Sequence, residues 1–332
     1  MFKNKKILIT GGTGSLGKAL TKKLLNSGVS VIRIYSRDEW KQTQMQFEFN
    51  DSRLRFFIGD VRDKERLSRA LEDIDIVIHA AALKQVPVAE YNPFEAVKTN
   101  VYGTQNVIES CLDSGVKIAL GIGTDKAVSP LNTYGATKLL MERLFISANF
   151  WKGDKDIKFL CVRYGNVLGS RGSVIPIFVD QINSGKKITV TDPSMTRFNI
   201  TMEQALNLIF RAIKNGNGGE VFVPKLKAYK VGIVKDALLE LLNAKNKTKK
   251  ISIRPGEKLH EVLINKFELR YTFETKDDYV IMNEHPLDKD STSHKWKKAS
   301  LSLPYVSDSV DMLTKDELKS ILISEKLVDI KN

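Results

Sequence analysis

The sequence predicts an α/β fold: a Rossmann-type, doubly wound parallel sheet with a smaller C-terminal lobe. Short β-branched runs alternate with longer amphipathic segments in the first half, as parallel strands alternate with crossover helices. A glycine-rich turn joins the first strand directly to the first helix. Beyond residue 170 the pattern changes to short elements with long connections. We therefore expect a dinucleotide-binding domain at residues 1–170 and a mixed α/β substrate-binding lobe at 171–332, with the chain crossing between them.

The elements of the first half follow in regular order. Six short apolar or β-branched runs are predicted strands, at residues 6–10, 29–35, 55–58, 74–79, 117–122 and 158–163. Four amphipathic segments between them are predicted helices, at residues 16–27, 64–71, 93–114 and 133–149. A doubly wound sheet binds its ligands beyond the carboxyl ends of its strands. We therefore expect the functional residues to follow the strands.

The second half is less regular and is expected to cover the sheet as a lobe. Its predicted helices are residues 202–215, 231–243 and 315–324, and its short strands are 189–190, 221–223 and 251–253. Residues 267–302 are polar, charged and weakly periodic. That segment is predicted to be a long excursion or a mobile flap.

Composition narrows the class of partner. The chain holds 52 lysines and arginines against 39 acidic residues, a formal net charge of +13. These charges are spread along the chain with little aromatic interleaving, so we expect no nucleic acid and favour a phosphorylated small molecule. No stretch approaches the roughly 18 apolar residues of a membrane span, so we expect no membrane partner.

The cysteines and histidines do not form a metal-binding pattern. Cys111 and Cys161 lie in separate apolar stretches, without a second Cys or His at ligand spacing. The four histidines are scattered as well. We therefore expect buried free thiols, no metal site and a cytoplasmic protein.

The first chemical motif lies between the first strand and the first helix. Gly11 permits a tight turn, Gly14 lets backbone amides approach a pyrophosphate, and Gly17 allows close packing of helix on strand. The helix N-terminus then attracts the anion. The motif predicts dinucleotide binding by Gly11, Thr13, Gly14, Ser15, Leu16 and Gly17.

The end of the second strand bears on the choice of cofactor. Ser36 and Arg37 stand where an NAD-preferring protein usually has an acidic residue, and with Lys41 they suit a 2′-phosphate. NADP is therefore favoured, although Asp38 keeps NAD open and Arg37 could be only a solvated charge. Further expected cofactor contacts are Glu39, Asp60, Val61 and Ala81.

The main catalytic pattern follows the fifth strand. Tyr134 and Lys138 are four residues apart and share one face of a predicted helix. An ammonium beside a phenol lowers the pKa of the phenol, which yields a base for a hydroxyl proton while hydride leaves the same carbon. Thr124, Asp125 and Lys126 precede this pair and suit acid–base work, unless Asp125 and Lys126 only form a salt bridge.

These residues resemble the extended short-chain dehydrogenase/reductase family, over nearly the whole chain. The run Thr124-Asp125-Lys126 is similar to the Thr-Asp-Glu triplet of sugar dehydratases, and its lysine points to the UDP-N-acetylglucosamine 4,6-dehydratases. Neighbouring capsule-sugar and membrane-anchored retaining branches carry Met at the position of Tyr134, so the resemblance favours the configuration-inverting branch that opens pseudaminic acid synthesis. Further matching segments are residues 36–39, 56–63, 79–84, 89–93, 163–167, 170–174, 195–198 and 254–261.

The resemblance implies a reaction and partners. The substrate would be UDP-N-acetylglucosamine, the cofactor NADP, and the assembly a homo-oligomer. Tyr134, aided by Lys138, would take the C4 hydroxyl proton; Lys126, if neutral, would remove the C5 proton, and Asp125 would protonate the departing C6 hydroxyl. The order of Asp125 and Lys126 stays open, because a lysine needs a large fall in pKa to act as a base.

The remaining candidates bind substrate or cofactor. Arg171 and Arg197 suit the diphosphate because a guanidinium matches phosphate oxygens. The resemblance adds substrate contacts from Asn166, Gly172, Ser173, Val174, Thr191, Arg254 and Glu257, and cofactor or sugar contacts from Lys84, Thr99, Asn100 and Val167.

Three alternatives stay open. A retaining dehydratase would use the same residues with the other C5 stereochemistry. A nucleotide-sugar 4-epimerase needs Tyr134 and Lys138 but has no need of the Asp125-Lys126 pair. An NADP-sensing binding module usually lacks an intact Tyr–Lys pair.

Overall fold

A computed structural model describes residues 1–170, 172–253, 256–282 and 296–328, and it has the predicted Rossmann-type architecture. One ten-stranded sheet runs through the molecule in the order β15-β13-β14-β9-β6-β5-β4-β1-β2-β3. Its parallel part is β1 Lys6–Thr10, β2 Val31–Ser36, β3 Leu54–Ile58, β4 Ile76–His79, β5 Ile118–Ile122, β6 Lys158–Val162 and β9 Glu220–Pro224. The strand order 3-2-1-4-5-6 is the one that places a dinucleotide beyond the strand ends.

Both faces of the parallel sheet are buried, which explains its continuous apolar runs. In β1, Leu8 joins the core on one face, while Ile7 and Ile9 join the core on the other. All three side chains are fully buried. The covering helices are α1 Ser15–Leu25, α2 Glu39–Phe49, α3 Lys64–Leu71, α4 Val86–Tyr91, α5 Pro93–Val97, α6 Gly103–Asp113 and α7 Thr133–Trp151, together with α9 Met202–Asn215.

Several helical features differ from the sequence-based expectation: α2, α4 and the helix Val174–Asn183 were not predicted, and one predicted helix is divided. Helix α2 was not predicted because its buried residues are few; its N-cap is Asp38, whose side chain accepts a hydrogen bond from the backbone N–H of Lys41. The single helix predicted at 93–114 is divided by a π-helical turn, Lys98–Tyr102, which lies between α5 and α6. Such turns widen a helix locally and often occur at functional sites. Here the turn contains Thr99 and Asn100.

The elements of the second half that lie outside the ten-stranded sheet form a lobe with its own core. It contains α8 Val174–Asn183, α10 Val231–Leu241 and α11 Lys315–Ser324, which pack around Phe178, Val234 and Leu318. Three short strand pairs accompany them: β8 Thr196–Phe198 with β10 Ala228–Lys230, β7 Ile188–Val190 with β11 Thr248–Lys250, and β12 Val262–Ile264 with β16 Tyr305–Val306. The prediction of a strand at 251–253 is wrong, because the strand in this region, β11, ends at Lys250.

The segment expected as an excursion at 267–302 contributes to the central sheet where it is described. Strands β13 Thr272–Glu274, β14 Asp278–Met282 and β15 Lys297–Lys298 extend the sheet antiparallel beyond β9. Part of that expectation, residues 283–295, lies outside the described residues. Because β9 and these strands follow residue 170, the second half of the chain completes the sheet begun by the first. The division at residue 170 stays a prediction.

A buried ion network joins the sheet, the helix α7 and the second half of the chain. Arg163, directly after β6, is 1% exposed. Its guanidinium donates to both carboxylate oxygens of Glu142 on α7, at 2.5 and 3.1 Å, and to both of Glu268, at 2.8 and 3.0 Å. It also donates to the carbonyl of Leu263 at 2.8 Å.

Among the helices of the described ranges, none combines the length and the apolar composition that a membrane span requires.

We expect Arg163→Met to lower the free energy of unfolding by about 3–5 kcal/mol, because it leaves two carboxylates buried without their cation. The measurement is equilibrium unfolding in urea. The matched control is Arg69→Met, since Arg69 pairs with Glu72 at a site where the two side chains are 71% and 56% exposed. The control should stay within about 0.5 kcal/mol of the wild type. Equal losses in the two variants would contradict the role given to the buried network.

Candidate active site

The site is built where a tight turn after β5 meets the first turn of α7. Thr124 caps a 3-10 turn, Asp125–Ala127, and Asn132 caps α7 by accepting from the N–H of Gly135 at 2.8 Å. A Cβ on Gly135 would lie 2.2 Å from the carbonyl oxygen of Lys126, so a glycine is needed for this approach. The close contact brings Tyr134, on the first helical turn, beside Lys126.

Asp125 and Lys126 form an ion pair inside the site. Lys126 Nζ lies 3.1 Å from Asp125 Oδ1 and 3.3 Å from Asn166 Oδ1. The Thr124 hydroxyl donates to the same Asp125 oxygen at 2.8 Å. The Asp125 side chain is 2% exposed, whereas that of Lys126 is 22% exposed. The salt bridge raised by the sequence is therefore present, with its carboxylate buried and its ammonium partly exposed.

The surroundings of Lys126 bear on the condition, raised by the sequence, that it acts as a base only if neutral. Burial on its own would lower the pKa of Lys126, but the carboxylates of Asp125 and Glu261 outweigh burial and raise it. These surroundings therefore favour the ammonium form of Lys126. By contrast, burial lowers the pKa of Lys138 to about 8, although Cys161 and Glu142 oppose this shift.

The environment of Tyr134 also departs from the simple Tyr–Lys expectation. Burial raises the pKa of the Tyr134 phenol above its ordinary value. The Lys126 ammonium and a hydrogen bond with Thr124 act in the opposite direction. The cation that favours the Tyr134 phenolate here is thus Lys126, where the sequence predicted Lys138.

Glu261 is a site residue that the sequence reasoning missed. Its carboxylate is 4% exposed, and Oε1 lies 3.5 Å from Arg197 Nε and 4.0 Å from Lys126 Nζ. Burial raises the pKa of this carboxyl, and Asp125 adds to the effect. Residue 261 ends a segment whose resemblance was noted, but a single glutamate between His260 and Val262 gives no sequence signal for its position in the site.

The glycine-rich turn forms a backbone cradle at the end of β1. Gly11 has φ +67°, and a Cβ there would lie 2.9 Å from the backbone of Ala81. Thr13 is buried, Leu16 is half-buried, and Gly14 and Ser15 are exposed at the start of α1. Gly14, the N-cap, gives α1 no side-chain cap, so the first-turn amides remain available to a ligand. A Cβ on Gly17 would lie 2.3 Å from the Gly12 carbonyl oxygen, which explains the third glycine.

The charged residues at the end of β2 are engaged with one another. Asp38 is engaged as the cap of α2 and also pairs with the Lys41 ammonium. Arg37 is exposed and lies 3.4 Å from Asp60 Oδ2, while Ser36 is buried and accepts from the side chain of Gln42 at 3.0 Å. Of the other candidates here, Glu39 is exposed and Val61 is buried.

The candidates between β4 and α7 have mixed positions. Asn100, in the π-helical turn, bonds the backbone of Leu83 in both directions and donates to the Thr137 hydroxyl at 3.0 Å. It therefore fixes the loop after β4 against α7 and has little left for a ligand. Thr99 is buried beside it, whereas Lys84 is exposed. Val167 is buried and forms a bridge with Ile200.

The candidates for the substrate surround Arg197 and the start of α8. Arg197 on β8 is buried, donates to the carbonyls of Thr196 and Leu259, and lies 3.3 Å from Glu257 Oε1. Ser173 is the N-cap of α8, and its buried hydroxyl has no hydrogen-bond partner among the described residues. Gly172 and Val174 flank it, and the Thr191 hydroxyl contacts the sulfur of Met195 at 3.2 Å. Arg171 and Arg254 lie outside the described residues.

In the described part of the chain, no three His, Cys, Asp or Glu side chains are grouped so that they could hold a metal ion. The candidate acid–base groups of the site are Tyr134, Lys138, Asp125 and Lys126. A Tyr and a Lys at this spacing, beside a glycine cradle on a parallel sheet, define an enzyme of the extended short-chain dehydrogenase/reductase class. Residues 7–283 match the family described as Polysaccharide biosynthesis protein. The chain belongs to that family.

Individual relatives narrow the comparison. The chain is 50% identical over 283 residues to UDP-N-acetylglucosamine 4,6-dehydratase (inverting) of Campylobacter jejuni, covering 85% of this chain and 84% of the relative. It is 40% identical over 344 residues to UDP-glucose 4-epimerase of Rickettsia rickettsii, with 100% of both chains covered. The X-ray structure of Pen from Bacillus thuringiensis has a TM-score of 0.92 at 41% identity, over 99% of each chain.

We expect Gly11→Ala to weaken binding of a nicotinamide dinucleotide at least tenfold, because the added Cβ meets the Ala81 backbone inside the cradle. Fluorescence titration with NADPH measures the effect. The matched control is Gly115→Ala, since Gly115 has a similar φ of +72° but no described atom within 4 Å of the added Cβ. The control carries the same backbone strain and should bind as the wild type does. Loss of binding in both variants would trace the effect to stability instead.

Proposed function

We propose that this protein is a UDP-N-acetylglucosamine 4,6-dehydratase that inverts C5. The observation that carries the proposal is the Asp125–Lys126 ion pair beside Tyr134, since elimination of water needs an acid and a base in addition to the base that serves oxidation. The inverting dehydratase of Campylobacter jejuni supports the substrate and the outcome at 50% identity.

NADP is the proposed cofactor. Gly11, Gly14 and the α1 N-terminus would hold its pyrophosphate, and Ser36, Arg37 and Lys41 its 2′-phosphate. Asp38 supports this choice because its carboxylate already caps α2. When bound, NADP would supply the acceptor for the C4 hydride and the donor of the hydride at C6, so the reaction would have no net oxidation.

Tyr134 acts on the C4 hydroxyl. Its phenolate takes the hydroxyl proton, and the Lys126 ammonium and the Thr124 hydrogen bond favour that phenolate against the cost of burial. Lys138, four residues along the same helix, stays within the site as a buried amine with a pKa lowered to about 8. It is therefore still mostly protonated at pH 7 and holds a second positive charge near the reacting group.

Asp125 and Lys126 divide the elimination between them. Lys126 enters as an ammonium because its pKa is raised, which favours Lys126 as the donor to the departing C6 hydroxyl. Asp125 then takes the C5 proton, which chooses one of the two orders that the sequence left open. The protons balance: Tyr134 takes one from the C4 hydroxyl, Asp125 takes one from C5, Lys126 gives one to the water released, and solvent gives one to C5 from the opposite face. Exchange with solvent then returns the three side chains to their starting protonation.

Arg197 and the start of α8 are the proposed diphosphate site. The Ser173 hydroxyl lacks a described partner at a helix N-terminus, where an anion is favoured. Asn166, 3.3 Å from Lys126 Nζ, would contact the sugar. The remaining proposed substrate contacts are Arg171, Gly172, Val174, Thr191, Arg254 and Glu257. In this proposal residues 1–170 bind NADP and 171–332 bind the nucleotide sugar.

The product would be UDP-2-acetamido-2,6-dideoxy-β-L-arabino-hex-4-ulose, in the first step of pseudaminic acid biosynthesis. We also propose a homo-oligomer working in the cytoplasm. Both cysteines are buried free thiols, as in reducing compartments. Large apolar side chains are exposed on and around α4, α5 and α7, which supports contact with another copy: Val88, Tyr91, Phe94, Tyr102, Leu131 and Leu140.

A 4-epimerase is the second candidate. The 40% identity with a UDP-glucose 4-epimerase over the whole chain favours it, and Tyr134 and Lys138 would serve it equally well. An epimerase has no elimination step. The Asp125–Lys126 pair would then be only structural.

We expect the purified protein to convert UDP-N-acetylglucosamine in D₂O, without added reductant, into a 4-keto-6-deoxy sugar with deuterium at C5. An NMR time course follows the C5 and C6 signals, and mass spectrometry identifies the cofactor released on denaturation. L-arabino couplings support inversion, and D-xylo couplings would mean a retaining enzyme. An untouched substrate with cofactor bound would overturn the substrate assignment.

We expect Lys126→Met to lower kcat for dehydration by about 10²–10⁴-fold, the usual contribution of a positioned acid or base. The matched control is Lys258→Met, because Lys258 is a half-buried lysine in the same region that donates to the carbonyl of Val128. It should retain most of the activity. If the wild type interconverts the C4 epimers and Lys126→Met still does so, the epimerase reading is correct.

A further inference from the structure

We propose that Glu261 is a positioning residue that links the phosphate-binding guanidinium of Arg197 to the proton-carrying amine of Lys126. This inference rests on the proposed function for its catalytic meaning. Its physical core, control of the Lys126 charge by Glu261, concerns only the protein and can be measured without substrate.

The carboxylate of Glu261 lies between the two cations. Oε1 is 3.5 Å from Arg197 Nε and 4.0 Å from Lys126 Nζ. The residue is 4% exposed, and Oε2 has no hydrogen-bond partner among the described residues. A buried acceptor without a partner is costly, so a group that persists in this state indicates a functional demand or a ligand that completes it.

The backbone around Glu261 holds the carboxylate in position. Its N–H donates to the Ser307 hydroxyl at 2.8 Å, and its carbonyl accepts from the Ser307 N–H at 2.8 Å. The Ser307 hydroxyl also lies 2.6 Å from that of Thr196, the residue before Arg197. Glu261, directly before β12, and Thr196, directly before Arg197 on β8, are therefore tied to the same Ser307 side chain, which follows β16.

The surrounding charges explain what Glu261 does. The titratable groups that face Lys126 are Asp125, Glu261, Tyr134, Tyr229 and Lys258. Those that face Glu261 are Asp125, Lys126, Arg197, Lys258 and Tyr229. Two carboxylates thus share one amine, and both favour its ammonium form. Of these two carboxylates, Asp125 lies nearer to Lys126, and Glu261 is the one that also contacts Arg197.

Substrate binding would change this balance. A diphosphate on Arg197 offers the guanidinium stronger partners than a single carboxylate. The Glu261 carboxylate then interacts mainly with the Lys126 ammonium, which keeps its proton until the sugar is bound. Occupancy of the phosphate site is thereby linked to a proton-loaded Lys126, and the reaction begins with the donor charged.

The test compares Glu261→Gln with Glu257→Gln. Both variants remove a carboxylate that pairs with Arg197: Glu257 meets Nη2 at 3.3 Å and Glu261 meets Nε at 3.5 Å, and Glu261 also lies 4.0 Å from Lys126 Nζ. Trace acetylation at fixed pH, followed by peptide mass spectrometry, reports the fraction of Lys126 that is neutral. The exposed Lys155 serves as internal standard.

We expect Lys126 to be acetylated about tenfold faster in Glu261→Gln than in the wild type, which corresponds to a fall of about one unit in its pKa. Glu257→Gln should leave this rate unchanged. In turnover, Glu261→Gln should lower kcat and shift the alkaline limb of the pH profile to lower pH, because the donor loses its proton earlier. Glu257→Gln should raise KM and leave that limb in place.

The outcomes separate the two proposals. An unchanged Lys126 rate in folded Glu261→Gln overturns the positioning role, whatever the enzyme makes. A faster rate in a protein that gives no keto sugar keeps the role of Glu261 and rejects the dehydratase. If the glutamine variant does not fold, Glu261→Asp keeps the charge but withdraws it, and a rate equal to that of the wild type would then reject the dependence on distance.

Discussion

The buried guanidinium of Arg163 holds three parts of the molecule at one point. Glu142 belongs to the helix that carries Tyr134 and Lys138, and Glu268 follows the segment that carries Glu261. Taking these charges out of water costs several kcal/mol per ion, and only a full set of hydrogen bonds offsets that cost. Because all four carboxylate oxygens and the Leu263 carbonyl are engaged, the helix and the C-terminal segment cannot move independently. This constraint fixes the positions of the candidate catalytic groups relative to one another.

The same competition between burial and charge sets the chemistry of the two active-site lysines. Lys138 is buried with a single carboxylate near it, Glu142, which already bonds Arg163, so desolvation dominates and lowers its pKa. Lys126 faces Asp125 and Glu261, and the two carboxylates outweigh desolvation. The pKa values of these two lysines, some twelve residues apart in sequence, therefore shift in opposite directions because their neighbouring charges differ. In the proposed mechanism, one residue type would supply both the proton donor and the polarising amine.

Much of the fold could be predicted from the sequence, because the signals were local. β1 and the helices α3, α9 and α11 begin and end where the pattern predicts, since period and end signals agree there. The π-helical turn at Lys98–Tyr102 was missed because its residues continue a helical pattern. The strands β13 and β14, which form a hairpin beyond β9, were missed because their polar, charged segment is only weakly periodic. In the site, the glycine cradle and the Tyr134 helix were predictable, whereas the position of Glu261 and the proton on Lys126 depend on tertiary contacts.

The Arg163 network also bears on how the chain is synthesised. Glu142 and Arg163 are separated by 21 residues, but Glu268 follows Arg163 by 105. At about 5–20 residues per second, a ribosome takes roughly 5 to 20 seconds to supply the second carboxylate. During that interval the nascent N-terminal half holds a guanidinium with only part of its final partners, and β14 is absent from the sheet edge next to β9. The helix that carries Tyr134 is therefore fully anchored only after the C-terminal part of the chain has been made. A prematurely terminated chain would have the cofactor cradle without a complete active site.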